Sequence, residues 1–260
     1  MKKLLCLFAF SAVFLTSCSS SDNSSTPVTE SDVLVTKTVE TYAYDNSTVT
    51  TNYTYNGKKI VRSSDSDGIY ENYTYTGDLI TNVKVYDDTD TLLLEEFLTY
   101  NASGQLVTYL SKDYENNTGR KEVFVHNSSN TVSYTVYKGT NSSQTTQSEM
   151  GTIYLTNGEV SQIETTVLSP SYTATRVYTY DTKNNPFKNI TGGDKINFIN
   201  IEAIGVSRNI LTDTYTSTFT NSELFTTTYT YNSLNFPLTE SEIEGTDLST
   251  VVNTQYTYNN

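Results

Sequence analysis

Few side chains in this sequence are spaced for catalysis, and each has a plainer structural reading. His126 is the only histidine. A zinc site or an activated nucleophile built on it would need carboxylate partners that the spacing does not supply. It stands where sister segments carry tyrosine, so it reads as a replacement on a structural face. Acidic clusters occur at Asp65-Ser66-Asp67-Gly68 and at Asp87-Asp88-Thr89-Asp90. Calcium takes several carboxylate and carbonyl oxygens, which makes Asp65, Asp67, Asp87, Asp88 and Asp90 candidate ligands for weakly held Ca²⁺. The first cluster lacks the full calcium-loop ligand set with its closing glutamate, and turns between strands are commonly rich in aspartate.

Glu95-Glu96 and the trio Glu240, Glu242 and Glu244 could supply paired carboxylates for glycoside hydrolysis. The alternating trio shares one strand face if that segment is extended, and a solvated face is the simpler expectation. No Gly-x-Ser-x-Gly elbow, His-Glu-x-x-His helix or phosphate loop occurs. Gly192-Gly193-Asp194-Lys195 reads as a turn. The expectation is a protein with no catalytic residues and no cofactor beyond the weak calcium possibility.

The two cysteines carry a different chemistry. Met1-Lys2-Lys3 is followed by the apolar run Leu4–Leu15 and by Thr16-Ser17-Cys18. A basic start, a short apolar core and small residues at the end make an export signal. The run is too short to span a membrane as a helix, which needs about 20 apolar residues. Leu15-Thr16-Ser17-Cys18 resembles the lipobox of bacterial lipoproteins. That resemblance implies cleavage after Ser17, a diacylglycerol on the Cys18 sulfur, palmitate-type acyl chains and a lasting membrane anchor, since two or more chains hold a protein stably. Cys6 leaves with the signal and Cys18 carries lipid, so the mature chain has no thiol for nucleophilic, redox or thiolate-metal work. Ser19 after the lipidated residue points, by the sorting rule of such lipoproteins, to the outer membrane, on either its periplasmic face or the cell surface.

Removing residues 1–17 leaves 243 residues, and losing Lys2 and Lys3 takes the net charge from −13 to −15. Such a surface repels nucleic acid, whose phosphates seek clustered Lys and Arg. The expected partners are therefore the membrane, through lipid, and an unidentified protein or glycan. Only 17% of residues are charged. The polar remainder is Thr, Ser and Asn, with 46 Thr, 22 Tyr and no Trp. Thr and Tyr favour strands. Residues 18–32 lack aromatics and read as a flexible tether, leaving 33–260 as the folded body.

A repeat runs through that body. Tyr-x-Tyr occurs at Tyr42/Tyr44, Tyr53/Tyr55, Tyr73/Tyr75, Tyr178/Tyr180, Tyr229/Tyr231 and Tyr256/Tyr258. Degenerate copies place Tyr100, His126 and Thr156 in the second slot, the last with Tyr154 in the first. Asn, Asp or Gly usually follows, as at Asn56-Gly57; with Asn157-Gly158 this is the strongest short hairpin signal. Residues i and i+2 of a strand share a face, so both rings of each pair lie on one side and threonine on the other. The doubled step between Tyr180 and Tyr231 predicts one diverged copy, with a less regular insertion at about 187–212. The pattern resembles the tyrosine-rich YD (Rhs-like) repeats and the Gram-negative lipoproteins built from them, over roughly Val33 to Asn260.

These readings predict an all-β fold: an antiparallel meander of hairpins with about 14–16 strands and few or no helices, rolled, barrel-like or sandwiched. A membrane-spanning barrel fits poorly, because its outward face needs an apolar band that threonine cannot provide. The expected function is a non-enzymatic, membrane-anchored envelope lipoprotein, structural or binding. The alternative is a surface glycan- or protein-binding lipoprotein of a nutrient-uptake system that uses exposed tyrosines.

Overall fold

A computed structural model describes residues 29–128 and 130–259. Ser17, Cys18 and the export signal lie outside the described residues. Sixteen strands follow in order: β1 (Val35–Tyr42), β2 (Thr48–Asn56), β3 (Lys59–Asp65), β4 (Tyr70–Thr76), β5 (Leu79–Tyr86), β6 (Leu92–Tyr100), β7 (Leu106–Asp113), β8 (Thr118–His126), β9 (Thr131–Thr140), β10 (Ser143–Thr156), β11 (Glu159–Leu168), β12 (Ser171–Tyr180), β13 (Ile210–Ser217), β14 (Glu223–Tyr231), β15 (Pro237–Glu244) and β16 (Val252–Tyr258). Each pairs antiparallel with its sequence neighbours, and β1 pairs with β16, so the meander closes into a barrel. Closure leaves no strand edge unpaired. The all-β meander expected from the repeat is thus a barrel at the upper end of the strand count.

Directly opposed residues share a face, and the buried set identifies the inner one. Ile80, Val83, Tyr109, Phe124, Val132, Tyr134, Ile153 and Ile163 point inward and form the core. The outer face is rich in threonine: Thr48, Thr50 and Thr54 on β2, Thr212, Thr214 and Thr216 on β13, Thr226, Thr228 and Thr230 on β14. Across adjacent strands their hydroxyls pair, Thr179 with Thr212 and Thr230 with Thr239, each at 2.6 Å. Such cross-strand pairs are a unit of sheet stabilisation. Two outward aromatics lie under lysines, Phe97 below Lys112 and Tyr137 below Lys121.

One device recurs at the end of the barrel where β2 turns into β3. Thr54 pairs with Arg62 but Tyr55 pairs with Ile60, leaving Val61 as an extra residue. The same bulge sits before Tyr75, Tyr100, Leu155, Tyr180 and Tyr231. A bulge bends the strand and increases its twist, which a closing sheet needs. It also makes residues i and i+3 both point inward on the second strand, as for Ile60 and Ser63, or Ile80 and Val83. At β10 the register differs from the expectation: Ile153 and Leu155 face in, so Tyr154 and Thr156 face out. The inward slots there are aliphatic.

The doubled step between Tyr180 and Tyr231 holds no lost copy. It holds one hairpin, β13–β14, preceded by a connection over 181–209 whose regular structure is limited to two short 3-10 turns, Gly193–Lys195 and Ile199–Ile201. This segment folds over the barrel end. Thr191 N–H donates to the Lys58 carbonyl, Asn197 Nδ2 to Gly158, and Asn184 N–H to Asn235, three different hairpin turns. At Gly192, with φ +79°, a Cβ would stand 2.6 Å from the Asp78 carbonyl, so only glycine permits the close approach. Phe198 and Ile201 descend into the core, and Phe198 meets Phe124 edge-on at 4.9 Å. A sixteen-stranded barrel is wide enough to enclose a water-filled channel; here aromatic side chains and this plug occupy the interior.

Candidate functional site

The barrel interior is arranged in layers. Nearest the plug, the second tyrosine of four units reaches the backbone of the neighbouring hairpin, whereas the buried Tyr75 hydroxyl has no partner. Tyr55 donates to the Val35 carbonyl, Tyr100 to Ile80 and Tyr180 to Val160, each at 2.7 Å; Tyr258 donates to Pro237 at 2.6 Å. His126 takes the same place, its Nε2 2.8 Å from the Leu106 carbonyl. Its role is therefore the structural one: a ring N–H replaces a phenol O–H. Tyr231 instead donates to Asp181 at the start of the plug. These rings are directed inward and, Tyr75 apart, their hydroxyls are engaged.

Two glutamates pin the plug from the barrel wall, and neither was singled out by sequence motifs. Glu159 accepts the backbone N–H groups of Val206, Ser207 and Arg208 at 2.7–3.0 Å. Glu122 has no exposure. Its Oε1 accepts from Arg120 Nε at 2.6 Å and its Oε2 from the Asn200 N–H at 3.1 Å. Burial pushes its carboxyl up to about 7 against the pull of Arg120. Arg120 also reaches Glu149, which Lys138 joins at 2.9 Å. A buried carboxylate without such partners would be severely penalised.

Below the plug lie three adjoining cavities of about 500, 420 and 440 Å³. The first runs between plug residues Phe187, Ile190 and Ile196 and the inner faces of β2–β4. Phe187 and Ile204 separate it from the second, and Arg176 and Glu202 separate the second from the third. The third reaches Ser169 and Pro170 at the turn between β11 and β12, the end opposite the plug. The second is lined by Glu202 of the plug, Asp213, Glu240, Glu242 and Arg176. Arg176 pairs with Glu202 and lies 3.6 Å from Asp213. Burial raises Asp213, Glu240 and Glu242 above their ordinary values, and repulsion by Glu242 adds to the first two. Tyr256 donates to Glu240.

Solved structures similar in fold to this chain include two porin-like proteins. A porin-like protein from Bacteroides vulgatus superimposes with a TM-score of 0.54 at 11% identity, over 87% of this chain and 99% of that one. A porin-like protein from Bacteroides uniformis gives 0.52 at 15% identity, over 89% and 98%. No family model and no curated protein matches the chain. The likeness is therefore one of fold.

The remaining sequence candidates disperse. Glu95 and Glu96 face opposite sides: Glu96 accepts from the core residue Tyr109, whereas Glu95 meets outward Lys84 at 3.5 Å. Glu240 and Glu242 do share a face, but it is the lumen side rather than the solvated one expected. Asp65 Oδ1 accepts the N–H groups of Asp67 and Ile69, and Asp87 Oδ1 those of Thr89 and Thr91, so both clusters close their own turns. Asp90 accepts from Tyr70, and Asp88 lies against Gly68. Among the described residues no group of three or more His, Cys, Asp or Glu is placed to hold a metal ion. Cys18 and Ser17 lie outside the described residues.

Proposed function

We propose that this protein is a non-enzymatic lipoprotein of the outer membrane, anchored through Cys18, whose barrel stands in water and binds a small ligand in its plugged lumen. The observation that carries this reading is the direction of the two faces. A lipid-facing barrel needs an apolar band about 25 Å tall on the outside; here threonines recur at the outward positions, mixed with single aliphatic residues and with aromatics capped by lysine such as Phe97 and Tyr137, while the contiguous apolar and aromatic cluster points inward. A plug pinned by Glu122 and Glu159 supports a closed lumen over an open through-channel.

The anchor end follows from the plug. Glu30–Asp32 forms a short 3-10 turn; Glu30 pairs with Lys188 at 2.6 Å, and Asn189 Nδ2 donates to the Glu30 carbonyl. The first described residues are thus held at the plugged end, which supports a reading in which the lipid lies on that side and the lumen faces away from the membrane. The second reading, glycan or protein capture on exposed tyrosines, has less support: of the described tyrosines only Tyr44 and Tyr114 are exposed.

Metabolic labelling of the full chain with radioactive palmitate tests the anchor. Label should enter the wild-type protein and be lost in Cys18→Ala. Absence of label from the wild type, or label that survives in Cys18→Ala, would overturn it.

A further inference from the structure

The second cavity departs from the repeat that surrounds it. The inward position three residues beyond the bulged pair holds Ser63 on β3, Val83 on β5, Tyr109 on β7 and Ile163 on β11. The equivalent positions on β13 and β15 hold Asp213 and Glu240. Glu242 follows on the same face of β15, and Glu202 of the plug closes the ring. Elsewhere in this layer the inward carboxylates Glu71, Glu96 and Glu122 lie across from that position and accept hydrogen bonds from Tyr73, Tyr109 and Arg120; on β13 and β15 the carboxylates occupy the position itself, and both line one cavity. Local departures from a consistent pattern concentrate at functional sites.

An independent observation indicates that this cavity is unfilled chemistry rather than a salt-bridge network. Asn209 is 1% exposed and lines the cavity. Its Nδ2 donates to Asp181 and to the Asn184 carbonyl, which fixes the amide orientation, yet its Oδ1 has no partner. Asp213 Oδ1 is likewise buried and unpartnered. Buried acceptors of this kind ordinarily have a donor. Arg176 is the one cation lining the cavity and is already shared by Glu202 and Asp213.

We propose that the cavity bounded by Asp213, Glu240, Glu242 and Asn209 binds a linear organic polyamine. The lining offers acceptors in excess, which call for a ligand made of N–H donors and positive charge. Tyr178, Tyr229 and Tyr256 line the same cavity, and aromatic walls attract ammonium groups through their ring faces. The volume of about 420 Å³ is that of a small-molecule site. Buried carboxylates held above their ordinary range gain most from an incoming cation. This inference rests on the lumen-binding reading above and specifies its ligand.

The test is calorimetric titration of the purified full-length chain in detergent with spermidine, and in parallel with xylose and with calcium chloride. Spermidine should bind at one saturable site, weakened at least tenfold in the double variant Asp213→Asn, Glu242→Gln and unchanged in Glu164→Gln, which changes an outward carboxylate. A melting curve of the double variant must match or exceed that of the wild type, as removal of buried repulsion requires. To cover a double variant that melts early, the single variant Glu242→Gln serves as a second variant and should weaken spermidine on its own. Saturable xylose binding without spermidine binding would overturn the polyamine while sparing the lumen-binding reading. Stronger heat with calcium than with spermidine would overturn it in favour of a metal. No binding of spermidine, or equal binding by the double variant, would overturn it outright.

Discussion

The hydroxyl of Tyr100 donates to the backbone carbonyl of Ile80, twenty residues upstream and 2.7 Å away. The same bond, with the same separation, joins Tyr55 to Val35, His126 to Leu106 and Tyr180 to Val160. Each links one hairpin to its neighbour at the plugged end. In these units the second-slot ring is therefore a fastener between hairpins; at β14 the first-slot Tyr229 does the same, donating to the Ile210 carbonyl.

Removing one fastener should be measurable. In Tyr100→Phe the buried Ile80 carbonyl loses its donor, and urea unfolding should show a loss of about 1–2 kcal/mol. Tyr154→Phe removes an outward hydroxyl bonded to an exposed glutamate, Glu164, and should cost less than about 0.5 kcal/mol. Equal losses in the two variants would contradict the assignment of inward and outward rings.

The plug depends on Glu159. Replacing it with alanine strands three backbone N–H groups between Val206 and Arg208. A loss of about 2–4 kcal/mol is expected, and limited proteolysis should cut within 181–209 before it cuts any strand. Cleavage that begins elsewhere would show that the plug is held by other contacts.

Stability should depend on pH with a definite sign. Glu122, Glu96, Asp213, Glu240 and Glu242 are all raised by burial. A carboxyl whose folded value is raised binds its proton more readily in the native state. Its cost is complete above the folded value and is relieved as pH falls through it. For Glu122, pushed up to about 7, the relief falls between about pH 8 and pH 5 and amounts to at most about 3 kcal/mol. The melting temperature should rise over that interval on acidification. Glu122→Gln should flatten the rise. A melting temperature that falls steadily from pH 8 to pH 5 would contradict this.

Much of the barrel is legible in the chain. The alternation of Tyr with Thr marks the two faces of each strand, and Asn-Gly pairs mark turns; Asn157 and Gly158 indeed adopt positive φ. The bulges are not legible, because an extra residue such as Val61 or Val107 differs from its neighbours in position, not in kind. That is why Tyr154 reads as a repeat tyrosine when Ile153 and Leu155 hold the inward slots. The plug reads as a diverged hairpin because its anchoring residues, Glu122 and Glu159, lie far from it in sequence. Glu240 and Glu242 read as solvated for a similar reason: alternation shows that they share a face, and only closure of the sheet shows that the face is inside.

The proposed function requires a barrel with a water-facing outside that reaches the membrane only through lipid on Cys18. The described residues close the barrel from Val35 to Tyr258, so a chain that starts at Ser19 retains all of it. Phase separation in a cloud-point detergent compares that chain with the full lipidated protein. The full protein should collect in the detergent phase and the Ser19 chain in the aqueous phase as a folded β protein. Recovery of the folded Ser19 chain in the detergent phase would mean that the barrel wall itself meets lipid.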